Sequence, residues 1–156
     1  MDFMMSVLLV GIGATAATDL WALARKRLLG VAPPDFGLVG RWLAGMLRVH
    51  FRHESIAATP AVRGERLVGW IAHYLIGIAF AGVLLGIWGI EWIRQPRLVP
   101  ALLVGIVTVA APLLLMQPGM GVGFSARRAL HSLITHLVFG LGLYAAGWIA
   151  NVIIAV

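Results

Sequence analysis

The chain has 156 residues, of which 61% are hydrophobic and only 12% are charged. An average soluble domain carries about 25% charged residues, so this composition excludes an ordinary soluble protein. The absence of cysteine also excludes disulfides, thiolate metal sites and cysteine nucleophiles. The length allows one domain at most, and we therefore expect a single membrane domain over residues 1–156.

A helix needs about 20 predominantly apolar residues to cross the hydrocarbon core of a bilayer. Four stretches of the chain meet this requirement, at about 3–24, 67–90, 98–116 and 130–155. The sequence therefore predicts an all-α integral membrane protein built as a bundle of four transmembrane helices.

Basic residues are distributed unequally between the two sides of the predicted bundle. Ten of the twelve Lys and Arg residues lie between helices 1 and 2 or between helices 3 and 4: Arg25, Lys26, Arg27, Arg41, Arg48, Arg52, Arg63, Arg66, Arg127 and Arg128. Cytoplasmic loops carry the excess of Lys and Arg, so we expect these two loops in the cytoplasm and both termini outside it. A net charge of +6 that flanks apolar segments indicates membrane lipids as partners and no nucleic acid.

The segment between the first two helices contains a predicted amphipathic helix over about 36–52. Asp35 is a suitable N-cap, and apolar residues follow on one face: Phe36, Val39, Leu43, Met46, Leu47 and Phe51. Arg41, Arg48 and Arg52 fall together on the opposite face. This pattern is typical of a helix in the plane of an anionic membrane surface. The alternative is a helix that packs under the bundle without touching lipid.

Polar residues within the spans fall at a common depth. Asp19 precedes the end of helix 1 by six residues, and His73 and His136 lie six residues into helices 2 and 4. At 1.5 Å per residue, all three lie about 9 Å inside the cytoplasmic boundary, and Gln117 closes helix 3 on the same side. Ionisable residues within spans are costly and indicate function, so we predict an intramembrane polar layer. The alternative is a set of hydrogen bonds that only join helices.

Three kinds of chemistry remain open for this polar layer. A carboxylate and two imidazoles relay protons or bind a solute, hold a divalent ion such as zinc, or clamp a b-type haem between two His side chains. The sequence does not choose a cofactor among these, names no catalytic residue and leaves open whether the protein is an enzyme.

Polar residues at the membrane surface are candidates for contact with lipid or another anion. Three alternating glycines, at 119, 121 and 123, precede Arg127 and Arg128 at the start of helix 4, and N–H groups at a helix N-terminus favour anions. The alternative is a flexible turn with topology-setting arginines. The complete set of predicted lipid or anion contacts is Arg41, Arg48, Arg52, His53, Arg127 and Arg128.

The sequence also contains an apparent internal repeat. Leu-Leu-Val-Gly-Ile occurs at 8–12 and again at 102–106, and a His-x-x-x-Gly motif begins at both His73 and His136. These pairs run in the same direction and predict a parallel repeat.

Several short motifs together resemble a bacterial inner-membrane family that is known only as a domain of unknown function. They are Thr18-Asp19, Gly40-Arg41-Trp42, Arg52-His53-x-Ser55-Ile56-Ala57, Gly64-Glu65, Gly69-Trp70-x-x-His73-Tyr74, Met116-Gln117-Pro118 and His136-x-x-Phe139-Gly140. The resemblance implies a four-helix protein of the bacterial inner membrane, and no activity. Members often have a longer third loop, so the short loop here argues against an anion site on Arg127 and Arg128.

Three functions fit these observations. The first is a small transporter or channel for a proton-coupled solute or ion, built as a homo-oligomer because four short helices leave little room for a private pathway. The second is a phospholipid-binding or lipid-modifying protein. The third is a non-catalytic membrane subunit. Loss of transport on changing Asp19, or co-purifying phospholipid, discriminates among them.

Overall fold

The computed structural model describes residues 2–155, and in this range the regular structure is entirely helical. Seven helices follow in chain order: α1 (Phe3–Leu29), α2 (Phe36–Met46), α3 (Glu65–Trp88), α4 (Glu91–Arg94), α5 (Leu98–Thr108), α6 (Gln117–Gly119) and α7 (Ala126–Ala155). A 3₁₀ turn at Ile56–Ala58 and a π-helical segment at Ala111–Met116 complete the described structure.

Four helical segments are long and apolar enough to cross a membrane, as predicted: Phe3–Leu29, Glu65–Trp88, Leu98–Gly119 and Ala126–Ile153. The first continues beyond the predicted end near residue 24, because Arg25, Lys26 and Arg27 are good helix formers. Gly30 then ends it with φ of 65° and donates its N–H to the Arg25 carbonyl. The all-α membrane fold is confirmed.

The third span changes helix type where Pro112 occurs. Proline has no N–H and its ring clashes with the carbonyl four residues earlier, so Pro112 does not close a normal turn on Thr108. The chain forms the π-helical segment instead, in which the Gln117 N–H bonds the Pro112 carbonyl, five residues back.

Small residues let the long helices approach closely. α1 packs along both α3 and α7, and α5 packs along α7. On the α1–α3 interface a methyl group at Gly77 would overlap the Thr15 hydroxyl, and on the α5–α7 interface a methyl at Gly105 would meet Gly140. Gly11, the glycine of the first Leu-Leu-Val-Gly-Ile copy, also packs on α3, where a methyl group would overlap Cα of Ile78. Both copies thus use the same glycine for a close approach between helices.

The α2 helix ends at Met46, six residues short of the predicted end at residue 52. The N–H groups of Arg48 and His50 both turn back to the Gly45 carbonyl, at 2.9 Å, and Val49 adopts a positive φ of 61°. Because these local bonds replace further helical hydrogen bonds, the helix ends at Met46. The helical spacing of apolar residues nevertheless continues beyond it.

α2 runs antiparallel to the first turns of α3 and packs tightly against them. A methyl group at Gly40 would overlap the Glu65 carbonyl, and one at Gly69 would overlap the carbonyl of Phe36. The Phe36 ring also lies 4.5 Å from that of Trp70. α2 is therefore packed as an integral part of the bundle.

The loops at this end of the bundle join one another through their backbones. The His53 N–H donates to the Gly119 carbonyl at 2.9 Å, and the Ile56 N–H donates to the Met120 carbonyl at 3.0 Å. Trp42 of α2 covers Gly119. We call this part of the molecule, residues 30–64 with 117–125, the basic end.

Candidate functional site

Asp19 of α1 forms hydrogen bonds with two adjacent residues of α3. The Asp19 Oδ1 lies 3.0 Å from Nε2 of His73, and Oδ2 accepts the Tyr74 hydroxyl at 2.8 Å. The side chains of His73 and Asp19 keep 23% and 25% exposure. Asp19 and His73, predicted at the same depth, are thus in direct contact.

The hydrogen bonds of this cluster orient the imidazole of His73. An ionised carboxylate only accepts hydrogen bonds, so Nε2 of His73 is the donor to Oδ1 of Asp19. The Phe36 ring lies 4.4 Å from the imidazole, centroid to centroid. A carboxylate that orients an imidazole in this way suits proton exchange or ligation at the other nitrogen.

His136 forms a separate pair with Thr108 of α5. Its Nδ1 lies 2.8 Å from the Thr108 hydroxyl oxygen, and that hydroxyl donates to the Gly105 carbonyl at 2.6 Å. Because the hydroxyl proton is already used, Nδ1 of His136 is the donor and Nε2 remains free.

The predicted polar layer is therefore divided between two helix pairs. Asp19 and His73 bond across α1 and α3, whereas His136 bonds across α5 and α7. Gln117 begins α6, and its backbone carbonyl accepts the Val122 N–H at 2.8 Å. Within the described part of the chain, no group of three or more His, Asp or Glu side chains is placed to hold a metal ion.

Arg41 joins three segments of the basic end: its own helix α2, the start of α3, and the loop between them. Its Nε and Nη2 donate to the two Glu65 carboxylate oxygens at 2.8 and 2.7 Å, and its Nη1 donates to the carbonyls of Ile56 and Thr59. Hydrogen bonding to Glu65 raises the pKa of the Arg41 guanidinium above its usual value. Arg41 is thus a charged anchor whose charge Glu65 balances.

His53 lies at the centre of the basic end. Its Nδ1 lies 3.3 Å from the Thr59 hydroxyl, which donates to the Ser55 carbonyl. Nε2 is buried and has no hydrogen-bond partner in the described structure, and it lies against Gly45.

A cavity of about 690 Å³ lies beside His53. Its charged or titratable lining consists of Arg41, Arg48, Arg63, His50 and His53, with no acidic residue. We call it the larger cavity. Because Glu65 neutralises Arg41, the uncompensated positive charge of this cavity comes from Arg48 and Arg63, both exposed.

A smaller cavity of about 360 Å³ adjoins the larger cavity. It shares His50, His53 and Thr59 with the larger cavity, and it adds Arg52 together with Glu54. The acidic residue offsets the charge of Arg52, so the larger cavity is the more favourable anion site.

Arg127 and Arg128 lie in the first turn of α7, exposed, and line neither cavity. Arg128 donates to the Gly123 carbonyl. In the adjoining loop, Gly121 has φ of 72° and packs directly on the backbone of His53 and Glu54. Gly121 thus has a packing role between the two loops.

Two functional features were missed in the sequence. Tyr74 completes the Asp19 cluster; its position directly after His73 was the available signal. Arg25, predicted as a topology-setting charge, is buried, and so is the Nε1 atom of the half-buried Trp21 one turn earlier. Burial of an arginine at the end of a span has no signature in a single sequence.

Comparison with models of known families identifies the family of this chain. Residues 8–150 match the model of a family described as "Protein of unknown function (DUF2938)". The chain belongs to this family. The match confirms the resemblance seen in the motifs, and the description carries no activity. No curated protein and no solved structure matches the chain.

Proposed function

We propose that this DUF2938 protein binds a phosphate-bearing anion, in particular the headgroup of an anionic phospholipid, in the larger cavity. The observation that carries the proposal is the lining of that cavity, which has arginines and histidines but no acid. Guanidinium groups match phosphate oxygens in geometry as well as charge. A volume of about 690 Å³ lies within the usual range for small-molecule sites.

The surface beside the cavity supports a membrane lipid as the source of the phosphate. Leu47, Val49 and Phe51 are 90%, 78% and 55% exposed, and they alternate with Arg48 and His50. Apolar side chains among basic ones are typical of segments at the headgroup boundary. If the basic end is cytoplasmic, as the positive-inside rule predicts, this segment faces the leaflet that carries anionic lipid.

The test compares two double variants that lose the same charge at the same end of the molecule. Arg48→Gln/Arg63→Gln removes the uncompensated charge of the larger cavity. Arg27→Gln/Arg127→Gln removes two exposed arginines that line neither cavity. Binding is measured by titrating a fluorescent anionic phospholipid into the purified protein in nanodiscs of zwitterionic lipid.

At about 1 kcal/mol per arginine near an anionic surface, we expect the cavity variant to bind about 30-fold more weakly, and the control variant to change much less. Competition with inorganic phosphate distinguishes a free anion from a lipid headgroup. Equal losses in the two variants would mean that only the general charge of this end attracts lipid, and the proposal would fail.

A second candidate function is movement of a proton-coupled solute or ion. The observation that favours it is the Asp19–His73–Tyr74 cluster, which places an oriented imidazole and a carboxylate within the spans. His136 adds a second imidazole with a free nitrogen. Because the described part of one chain holds four long helices, which leave little room for a private pathway, this function involves a homo-oligomer.

The test of this second function measures how the uptake of a solute or ion into proteoliposomes depends on pH. The original protein is compared with Asp19→Asn and His136→Ala. Transport through the cluster predicts loss of uptake in Asp19→Asn while the fold is intact. Equal uptake in all three proteins would leave these residues with a structural role alone.

A further inference from the structure

We propose a second binding site for an oxyanion, separate from the larger cavity, at the Arg25–Trp21 pair of α1. The pair consists of two side chains on consecutive turns of one helix, and both present N–H donors without an acceptor. This site does not depend on the function proposed above, because neither residue lines the larger or the smaller cavity.

Burial and missing partners distinguish Arg25 from the other basic residues. Arg25 is only 8% exposed, whereas the neighbouring Lys26 and Arg27 are exposed. Its Nε and the indole Nε1 of Trp21 are both buried, and neither has a hydrogen-bond partner within the described part of the chain. In the same part, no carboxylate forms an ion pair with Arg25.

The protein compensates this charge only in part. The guanidinium carbon lies 5.7 Å from the centroid of the Trp21 ring, and a cation beside an aromatic face is stabilised. The C-terminal end of α1 also favours a positive charge. Neither contact supplies an acceptor for the N–H groups, and buried donors without acceptors are costly.

The chemistry of the missing partner follows from these donors. Two N–H donors call for oxygen acceptors, and because one donor belongs to a permanent cation, a negatively charged oxygen would balance the charge as well. The adjacent Lys26 raises the local positive potential, and the remaining exposure of Arg25 leaves part of the residue open at the surface. A phosphate or sulfate group fits, either free or as the headgroup of a lipid at the end of the span.

The sign of a stability change separates this proposal from a purely structural role. A buried charge without its ligand destabilises the protein, so its replacement by an apolar residue of similar length is neutral or stabilising. We therefore expect Arg25→Met, in zwitterionic detergent with chloride as the anion, to unfold at the same temperature as the original protein or higher. Arg27→Met, on the exposed side of the same helix, is the matched control.

Sulfate and an anionic phospholipid are then added in separate arms of the experiment. An oxyanion at about one hundred times its Kd should raise the unfolding temperature of the original protein and of Arg27→Met by about 5–10 °C. Arg25→Met should lack most of this rise, and Trp21→Phe, which loses one donor, should show an intermediate rise. A response to lipid alone identifies a headgroup, and a response to sulfate identifies a free anion.

Two results would overturn the site. One is a rise in Arg25→Met equal to that in Arg27→Met with both additives. The other is an Arg25→Met protein that unfolds well below Arg27→Met in every condition, which would show that Arg25 has an internal partner and no ligand.

Discussion

At the scale of single residues, hydrogen-bond partners separate polar side chains that look alike in the sequence. Asp19 has both carboxylate oxygens engaged, by His73 and by Tyr74. Arg41 has each of its nitrogen atoms engaged as a donor to Glu65 or to backbone carbonyls. Arg48 shares the predicted basic face with Arg41 but is exposed. The first two residues hold segments together, and Arg48 is free to meet a ligand.

The Tyr74 hydroxyl gives the first residue-scale prediction. We expect Tyr74→Phe to lower the free energy of unfolding by about 1 kcal/mol, because it removes one hydrogen bond to Asp19 and keeps the ring. Tyr144→Phe is the control, since the Tyr144 hydroxyl has no hydrogen bond in the described structure. Thermal unfolding in detergent measures both, and equal effects would mean that the Asp19 contact adds no stability.

The Arg41–Glu65 pair gives the second residue-scale prediction. We expect Glu65→Gln to lower the unfolding temperature more than the double variant Arg41→Gln/Glu65→Gln, because the single change leaves a guanidinium largely covered by the protein without its counter-ion. If the loss in the double variant equalled the sum of the losses in Glu65→Gln and in Arg41→Gln alone, this coupling would be contradicted.

At the scale of helices, small residues decide how closely two elements approach. Gly40 and Gly69 let α2 lie against the backbone of α3. This contact positions the end of α2, where the loop beside the larger cavity begins. A sequence pattern of glycines indicates a close approach, but it does not name the partner helix. The α2–α3 contact follows from the tertiary structure.

Two glycines of α3 allow a controlled test of this packing. A methyl group at Gly69 overlaps the Phe36 carbonyl, whereas one at Gly86 meets no atom within 4 Å. We expect Gly69→Ala to lower the free energy of unfolding by about 1–3 kcal/mol. Gly86→Ala should be neutral or stabilise the protein by about 0.5–1 kcal/mol, since alanine favours the helix. Faster proteolysis between residues 47 and 52 in Gly69→Ala would show that α2 has been released; similar stabilities for both variants would contradict the packing.

At the scale of the whole molecule, the alternating directions of the four long helices bring both basic loops to one end. The backbone bonds from His53 to Gly119 and from Ile56 to Met120 then join these loops into one surface. Most of the basic residues of the chain thus lie at one end of the bundle.

The cysteine-free sequence permits a direct test of this arrangement. Single cysteines at Leu47 and Gly123 should react from one side of the membrane, and one at Gln95 from the other. By the positive-inside rule, we expect only the cysteine at position 95 to react in whole cells with a thiol reagent that does not cross the inner membrane. Labelling of 47 and 123 from outside would reverse the orientation, and labelling of these two from opposite sides would contradict the fold.

The four spans were predictable because a bilayer imposes one simple requirement, a long apolar helix. The contact of Asp19 with His73 was foreseen only in part: the common depth followed from counting residues, but depth does not say which helices are neighbours. The prediction of α2 was correct at its start, where Asp35 accepts the Gly37 N–H, and too long at its end, because the local bonds to the Gly45 carbonyl leave no trace in the spacing of apolar residues.

The sequence by itself determined the class of the protein, the number of its spans and the asymmetry of its charge, since these depend on composition and on the chain's own periodicity. Only the tertiary structure decided that Arg41 is neutralised by Glu65, that His136 bonds to Thr108 apart from Asp19, and that Nε of the buried Arg25 has no partner among the described residues. Those features depend on which distant segments come within hydrogen-bond distance, about 3 Å. Helix packing determines which segments come that close. In an apolar sequence, many different pairings of the same helices are compatible with the same pattern of apolar and small residues.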